Sequence, residues 1–381
     1  MRNGRIIIVG AGQAGVNCAL ALRECGFAGD VTLLSDEAHE PYDRPPLSKE
    51  LGGAPSAIVK REELDAKAIA LRLGIAATCI DRVAKTLTLN DGTTLPYDVL
   101  VLATGGAARA LPSLPADGRR VFVLRTLDDA RAIDRASRMA RNALVLGGGW
   151  LGLESAAALR GHGCEVTLLE AADRLCARSV PAEISVYLHD LHSGHGVQLI
   201  TGATAVIAAS PDGITARWNG TAATFDMAVV AIGLTPHDAL ARNAGLACQD
   251  GILTDDFGRT DDPAIFAVGD VGRIRIGNQT QRLESWKHAI AQGRRAAQAI
   301  CGAPVSAPEA PWFWSEQYDR LIQVAGLPQP SLTLLATETE PHPLWRYGAG
   351  GETHAVIGVN RARDLRQAHR TLSPSALKVP A

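Results

Sequence analysis

A glycine-rich loop occurs twice in this chain, each time in the same setting. Arg5-Ile-Ile-Ile-Val9 is an apolar run that ends in Gly10-Ala-Gly12-Gln-Ala14-Gly15, opens a helix-like stretch to Cys25, and is followed by Val31-Thr-Leu-Leu34 closing on Asp36 and Glu37. Ala143-Leu-Val-Leu146 likewise ends in Gly147-Gly-Gly149-Trp-Leu151-Gly152, continues as a helical stretch to Arg160, and is followed by Glu165-Val-Thr-Leu-Leu169 closing on Glu170. Each copy thus reads strand, G-x-G-x-x-G, helix, strand, with an acid about 20 residues past the last glycine. The spacing works because the chain turns tightly and a pyrophosphate approaches the helix amides, where side chains on the glycines would block it. An ordinary strand-to-helix turn accounts for one copy; it does not account for the same strand, helix and acid twice. Two βαβ units and two dinucleotide sites are predicted.

The acids select the nucleotide. A carboxylate accepts hydrogen bonds from ribose hydroxyls and repels a 2′-phosphate, so Glu170 predicts NADH rather than NADPH at the second loop, with Arg174 close by in sequence as the residue that opposes this preference. Other classes are excluded by composition. The 381 residues suffice for two or three domains, and a net charge of −2 with both signs interspersed argues against nucleic acid or membrane as partner. Seven cysteines show neither C-x-x-C nor metal-ligand spacing, so no metal site or disulfide scaffold is expected and a reducing cytoplasm fits. The uncharged stretch Ile6–Leu22 lacks a signal-peptide cleavage pattern and reads as strand, turn, helix.

Three further apolar runs stop at a glycine: Val99 to Gly105, Met227 to Gly233, and Ala264 to Gly269-Asp270. Glycine there lets a ligand or another backbone come close. Gly74 to Tyr97 alternates around Asn90-Asp91-Gly92, a hairpin signal, and residues 204–226 look similar around Pro211-Asp-Gly213. Pro304, Pro308 and Pro311 mark a linker before a tail richer in tryptophan and strand-like runs.

Together with the two loops, the segments Pro41-Tyr-Asp-Arg44-Pro45-Pro-Leu-Ser-Lys49, Ala103-Thr104-Gly105, Leu124-Arg-Thr-Leu-Asp128, Gly269-Asp270, Leu283-Glu-Ser285-Trp286 and Pro311-Trp-Phe-Trp314 carry a resemblance. The chain resembles the FAD-dependent ferredoxin reductases of bacterial ring-hydroxylating dioxygenase and cytochrome P450 systems, within the glutathione-reductase-like flavoproteins. The likeness spans nearly the whole chain, is weakest over 328–355, and departs at Lys287-His288, where less basic residues are expected. It implies an α/β fold with two Rossmann-like dinucleotide-binding domains plus a C-terminal α+β domain: an FAD domain from 1–112 and 238–309, an NAD domain from 113–237, and a C-terminal domain from 310–381. It implies FAD held by Gly10, Gly12, Ala14, Gly15, Asp36 or Glu37, Arg44, Pro45, Lys49, Ala103, Thr104, Gly105, Asp270, Ser285, Trp286 and Trp314. NADH falls to Gly147, Gly149, Leu151, Gly152, Glu154, Glu170, Ile232 and Gly233. Asp270 would accept from the ribityl chain, although an acid after a strand-ending glycine also reads as a helix N-cap. The helix beginning near Ser285 would aim its N-terminus at the flavin pyrimidine carbonyl. Trp314 reads either as a contact of the isoalloxazine edge or as core.

Disulfide reductases of this superfamily carry C-x-x-x-x-C where this chain has Tyr42 to Lys49. Without thiols, electrons leave by another route, and the resemblance implies single-electron transfer to an acidic 2Fe-2S ferredoxin. Arg361, Arg363, Arg366, Arg370, Arg273 and Arg275 are candidates for its docking face, or form a solvated charged surface. Rubredoxin is an alternative carrier, oxygen or a quinone an alternative acceptor, and a redox-responsive interaction protein similar to apoptosis-inducing factors the alternative of another class. The resemblance places the Lys49 ammonium near flavin N5 and Glu154 on the first turn of the helix approaching the nicotinamide. As the catalytic candidates, the two are expected to pair, since either charge alone in a closed site is costly; the alternative is two solvent-facing residues.

Overall fold

The computed structural model describes residues 2–210, 212–276, 279–307, 309–328 and 332–372. Pro211 of the second expected turn, Pro308 of the expected linker and residues 373–381 of the expected C-terminal domain lie outside that set. The chain forms two compact units, one from residues 1–43, 56–107 and 235–309, the other from 44–55, 108–234 and 310–381.

In the first unit the run Arg5–Val9 is the middle strand of a five-stranded parallel sheet, ordered Ile265–Ala267, Val99–Leu102, Arg5–Val9, Asp30–Leu34, Ile69–Arg72. Successive side chains point to opposite faces. Ile6 and Ile8 join a core with Val16 and Leu22 of the helix Gln13–Glu24 and Ala297 of the helix Trp286–Cys301. Ile7 and Val9 join another core with Leu87, Leu89 and Leu100. A strand covered on both sides needs no polar face, hence a continuous apolar run instead of an alternation. The two helices approach closely because Gly293 lacks a side chain: a Cβ there would stand 2.3 Å from the Ala14 carbonyl oxygen. The hairpin expected around Asn90-Asp91-Gly92 belongs to a three-stranded antiparallel sheet of Ala77–Asp81, Thr86–Leu89 and Thr94–Pro96. Its turn closes with the Gly92 amide, at φ +83°, donating to the Leu89 carbonyl at 3.1 Å.

The second unit repeats the design. Its parallel sheet is ordered Val197–Ile200, Glu165–Leu169, Asn142–Leu146, Met227–Val230, Val121–Val123. Leu144 and Leu146 share a core with Ile214, Trp218 and Phe225 of the antiparallel sheet Ala205–Ser210, Gly213–Trp218, Thr221–Phe225. The tail folds as a five-stranded antiparallel sheet, ordered Trp312–Gln317, Arg320–Gly326, Glu352–Val359, Leu344–Ala349, Thr333–Glu338. The helix Ala362–Thr371 seals one side of it through Leu365 and Ala368, which pack with Ala325, Leu344 and Val356. Two Rossmann-like parallel sheets and a C-terminal α+β portion give the α/β architecture expected. Among the described residues no helix is long and apolar enough to cross a membrane.

Candidate active site

The two loops assign the same three jobs to their glycines. A Cβ at Gly10 would stand 2.2 Å from the Ala103 carbonyl oxygen, and one at Gly147 would stand 2.5 Å from that of Ala231. A Cβ at Gly15 would sit 1.9 Å from the Gly10 oxygen, and one at Gly152 equally close to that of Gly147. The middle glycines differ: at Gly12 and Gly149 a Cβ would meet nothing within 4 Å among the described residues. Each middle glycine is the N-cap of its helix and caps it with no side chain. The outer glycines are therefore glycine for folding, and the middle ones leave the first helical amides open for an anion. Both loops fit the pyrophosphate of a dinucleotide.

The first unit brings several expected residues to its loop. Ala14 packs against Gly269, where a Cβ would lie 2.8 Å from the Ala14 methyl, so Asp270 stands beside the loop. Asp270 is the middle residue of a short 3-10 turn whose N-cap is Val268, so the N-cap reading of this acid fails. Ala103 donates its amide to Val9 at 2.8 Å, the Thr104 hydroxyl donates to the His237 carbonyl at 2.8 Å, and Gly105 takes φ +62°. Ser285 caps its helix, accepting from the His288 amide at 3.2 Å. Of the two acids after the second strand, Asp36 is exposed and Glu37 accepts from the Tyr42 hydroxyl at 2.5 Å. Asp43, which sequence reasoning passed over, accepts from Trp286 Nε1 at 2.7 Å and from Gln13 of the loop itself.

In the second unit Glu170 faces its loop. Its carboxylate accepts from the Gly148 amide at 2.5 Å and the Ala172 amide at 2.7 Å. Arg174 donates to the Val180 carbonyl, the Ala177 carbonyl and the Ser185 hydroxyl, all within 2.9 Å. The Arg174 guanidinium is thus engaged by its own loop. Leu151 is partly exposed, Ile232 is half-buried against the core, and Gly233 at φ +113° accepts from the Arg109 amide at 2.8 Å. Arg44 donates to the Arg125 carbonyl at 2.6 Å, and Pro45 caps the short helix Pro46–Lys49.

Lys49 and Glu154 form an ion pair: Lys49 Nζ lies 3.2 Å from Oε1 and 3.3 Å from Oε2, with side chains 11% and 6% exposed. The solvent-facing alternative is thereby excluded. Nζ also donates to the Pro45 carbonyl at 3.1 Å and stands 5.7 Å from the centre of the Trp314 ring. Trp314 is half-buried, with Nε1 donating to Glu316 at 3.0 Å. Glu154 is the fifth residue of the helix Trp150–Gly161, so it opens the second turn instead of standing on the first, because the helix begins after Gly149. Two serines that sequence reasoning did not assign complete its surroundings: Ser48 donates to Oε2 and Ser315 to Oε1, each at 2.5 Å. Ser48 lies in the Pro45-Pro-Leu-Ser-Lys49 segment; a polar residue next to the tryptophans is the only sequence signal for Ser315.

Of the expected basic face, Arg361 is committed to ion pairs with Glu338 and Asp364, and Arg273 to one with Asp250. Arg275, Arg363, Arg366 and Arg370 are exposed. All seven cysteines are free thiols.

Residues 4–293 match the pyridine nucleotide-disulphide oxidoreductase family, and residues 312–380 match a reductase C-terminal domain. The chain is 38% identical to the ferredoxin--NAD(+) reductase component of an anthranilate 1,2-dioxygenase system from Burkholderia cepacia, over 98% of this chain and 95% of that one. It is 39% identical to a rhodocoxin reductase from Rhodococcus erythropolis, over 93% of this chain and 80% of the relative. Among solved structures, a covalent putidaredoxin reductase–putidaredoxin complex matches with a TM-score of 0.90 and 34% identity, over 96% of this chain and 92% of that one.

Proposed function

Because the chain belongs to the pyridine nucleotide-disulphide oxidoreductases, we propose that it is an NADH-dependent FAD reductase that passes electrons to a 2Fe-2S ferredoxin serving an oxygenase. The observation that carries this reading is the pairing of two nucleotide loops with a segment, Tyr42 to Lys49, that holds a buried lysine and no thiol. Relatives that are reductase components of a dioxygenase system and of rhodocoxin support the same direction of electron flow. FAD, when bound, accepts two electrons as hydride and releases them singly, as a one-electron carrier requires.

The chain's own contribution is binding and electrostatics. Gly10, Gly12, Ala14 and Gly15, with Ala103, Thr104, Gly105, Asp270, Ser285 and Trp286, are assigned to FAD. Gly147, Gly149 and Gly152 are assigned to the NADH pyrophosphate and Glu170 to its ribose, which makes NADH the preferred donor over NADPH. Lys49 and Glu154, in the same unit as the second loop, are assigned to the hydride-transfer step, with a charge balance that stays dry and fixed. The proposed domains are 1–112 with 238–309 for FAD, 113–237 for NAD, and 310–381 at the C-terminus. A cytoplasmic location suits seven free thiols.

The test is direct. Purified protein should be yellow, release FAD and not FMN on denaturation, be bleached anaerobically by NADH, and then reduce a 2Fe-2S ferredoxin. A colourless protein that refuses FAD would end this reading, and steady turnover with oxygen or a quinone in the absence of any carrier would replace it with an oxidase. A kcat/KM favouring NADPH would overturn the role of Glu170.

A further inference from the structure

The ion pair is the end of a longer chain of contacts. Ser315 and Gln317 are alternate residues of the strand Trp312–Gln317, so their side chains share one face. Gln317 Nε2 donates to Ser315 Oγ at 2.9 Å, and Gln317 Oε1 lies 2.9 Å from His192 Nε2, in the last turn of the helix Ala182–Gly194. The other ring nitrogen of His192 lies 3.1 Å from the Tyr318 hydroxyl, and the Tyr318 ring stacks on His195 at 3.6 Å and 10°. Ser315, Gln317 and His192 are 0%, 1% and 0% exposed.

The donors and acceptors have one consistent assignment. A carboxylate paired with an ammonium only accepts, so Ser315 donates to Glu154 and its oxygen must accept from the Gln317 amide. The Gln317 carbonyl then requires the hydrogen on His192 Nε2, and the neutral ring presents Nδ1 to the Tyr318 hydroxyl. Every hydrogen in the series points toward Glu154. Burial pushes the His192 imidazole down to about 4, so the neutral tautomer persists at working pH. Tyr318 reaches its place at φ +56°, a left-handed conformation uncommon for an aromatic residue and a sign of local strain. Apolar side chains would fill this interior without needing partners; a fully satisfied polar series instead fixes one geometry.

We propose that Tyr318, His192, Gln317 and Ser315 form a one-way hydrogen-bond series that positions the Glu154 carboxylate for its pairing with Lys49, making His192 a positioning residue of the hydride-transfer step. This rests on the role assigned to Lys49 and Glu154 above. Its force lies in direction: the series supplies Oε1 with a fixed donor, Ser48 supplies Oε2, and the carboxylate is left one orientation in which Lys49 meets both oxygens.

The test uses the FAD-loaded enzyme. Nitrogen NMR of histidine-labelled wild type at neutral pH should find His192 with its hydrogen on Nε2, and Ser315→Ala should move the ring toward a mixture of tautomers. In stopped flow, Ser315→Ala and Gln317→Met should slow flavin reduction roughly 10-fold, the scale of losing an orienting outer partner, with NADH affinity unchanged. Ser315→Thr, which keeps the hydroxyl, should restore the rate. A wild-type ring protonated on Nδ1 overturns the proposal whether or not the variants fold. So do unaltered reduction rates in Ser315→Ala and Gln317→Met while Lys49→Met is slow. If Lys49→Met itself reduces at the wild-type rate, the role of the ion pair fails instead, and the tautomer measurement still judges the direction of the series.

Discussion

Lys49 is a long cationic side chain with almost no access to water, and its ammonium meets three oxygens, two from Glu154 and one from Pro45. Removing one partner of such a pair leaves a buried charge uncompensated, at a cost of roughly 3–5 kcal/mol. Lys49→Met is therefore expected to lower stability and to slow flavin reduction by NADH far more than it weakens NADH binding. Glu154→Gln, whose amide still accepts from one serine, should do so more mildly; stopped-flow rates equal to wild type in both variants would remove the pair from the mechanism. Two histidines yield a second expectation. Burial drives His192, and likewise His288, whose Nε2 has no hydrogen-bond partner among the described residues, down to about 4 from an ordinary 6.5. Below pH 6.5 the unfolded chain takes up protons that the folded rings refuse, so stability falls as pH drops from 6.5 toward 4. For a shift of this size the loss between pH 7 and pH 5 is about 2 kcal/mol per histidine. Denaturant midpoints across that range should show it, and His192→Gln should flatten the slope; a slope equal to wild type would mean the ring is not held neutral.

The element that binds is a loop joined to a helix, and its glycines are separable by experiment. Gly15→Ala would drive a methyl into the Gly10 carbonyl oxygen, so the protein should lose fold and flavin together. The Gly12→Ala methyl would meet no atom within 4 Å from elsewhere among the described residues, so the substitution should leave the stability of apoprotein near wild type while weakening FAD. Equal destabilisation by both, followed by circular dichroism and FAD titration, would mean that the middle glycine serves folding as well. These elements were legible in the sequence because each is a local pattern: the loops open their helices at the middle glycine, the Asn90-Asp91-Gly92 turn closes a hairpin, and Ser285 caps the helix that begins after it. What surrounds Glu154 was less legible. Its placement on the second turn follows from where the helix starts, one residue after Gly149. Ser315, Gln317 and His192 converge on it from a strand and a helix remote in the chain, and no spacing records which face of the strand Trp312–Gln317 turns inward. Asp43 was hidden in the same way, since its partners Gln13 and Trp286 come from opposite ends of the first unit's sequence.

At the scale of the molecule the balance of charge is near neutral, yet its distribution has a consequence for partners. Arg275, Arg363, Arg366 and Arg370 are exposed while Arg273 and Arg361 are held in ion pairs, so fewer of these arginines are free for an outside partner than their number in the sequence suggests. Exposed charges are screened over about 10 Å at 0.1 M salt. The ferredoxin-dependent rate should fall as salt rises while single-turnover reduction by NADH stays nearly constant, and a parallel fall of both would place the salt effect at the nucleotide loops. The first unit's sheet has a further consequence. Its central strand Arg5–Val9 lies beside Val99–Leu102, which in turn lies beside Ile265–Ala267. On a ribosome adding roughly 5–20 residues per second, the opening strands wait tens of seconds for their last neighbour to be synthesised. For that interval the edge of Val99–Leu102 has no partner on its outer side, the kind of unpaired strand edge that exposes an unfinished sheet to aggregation.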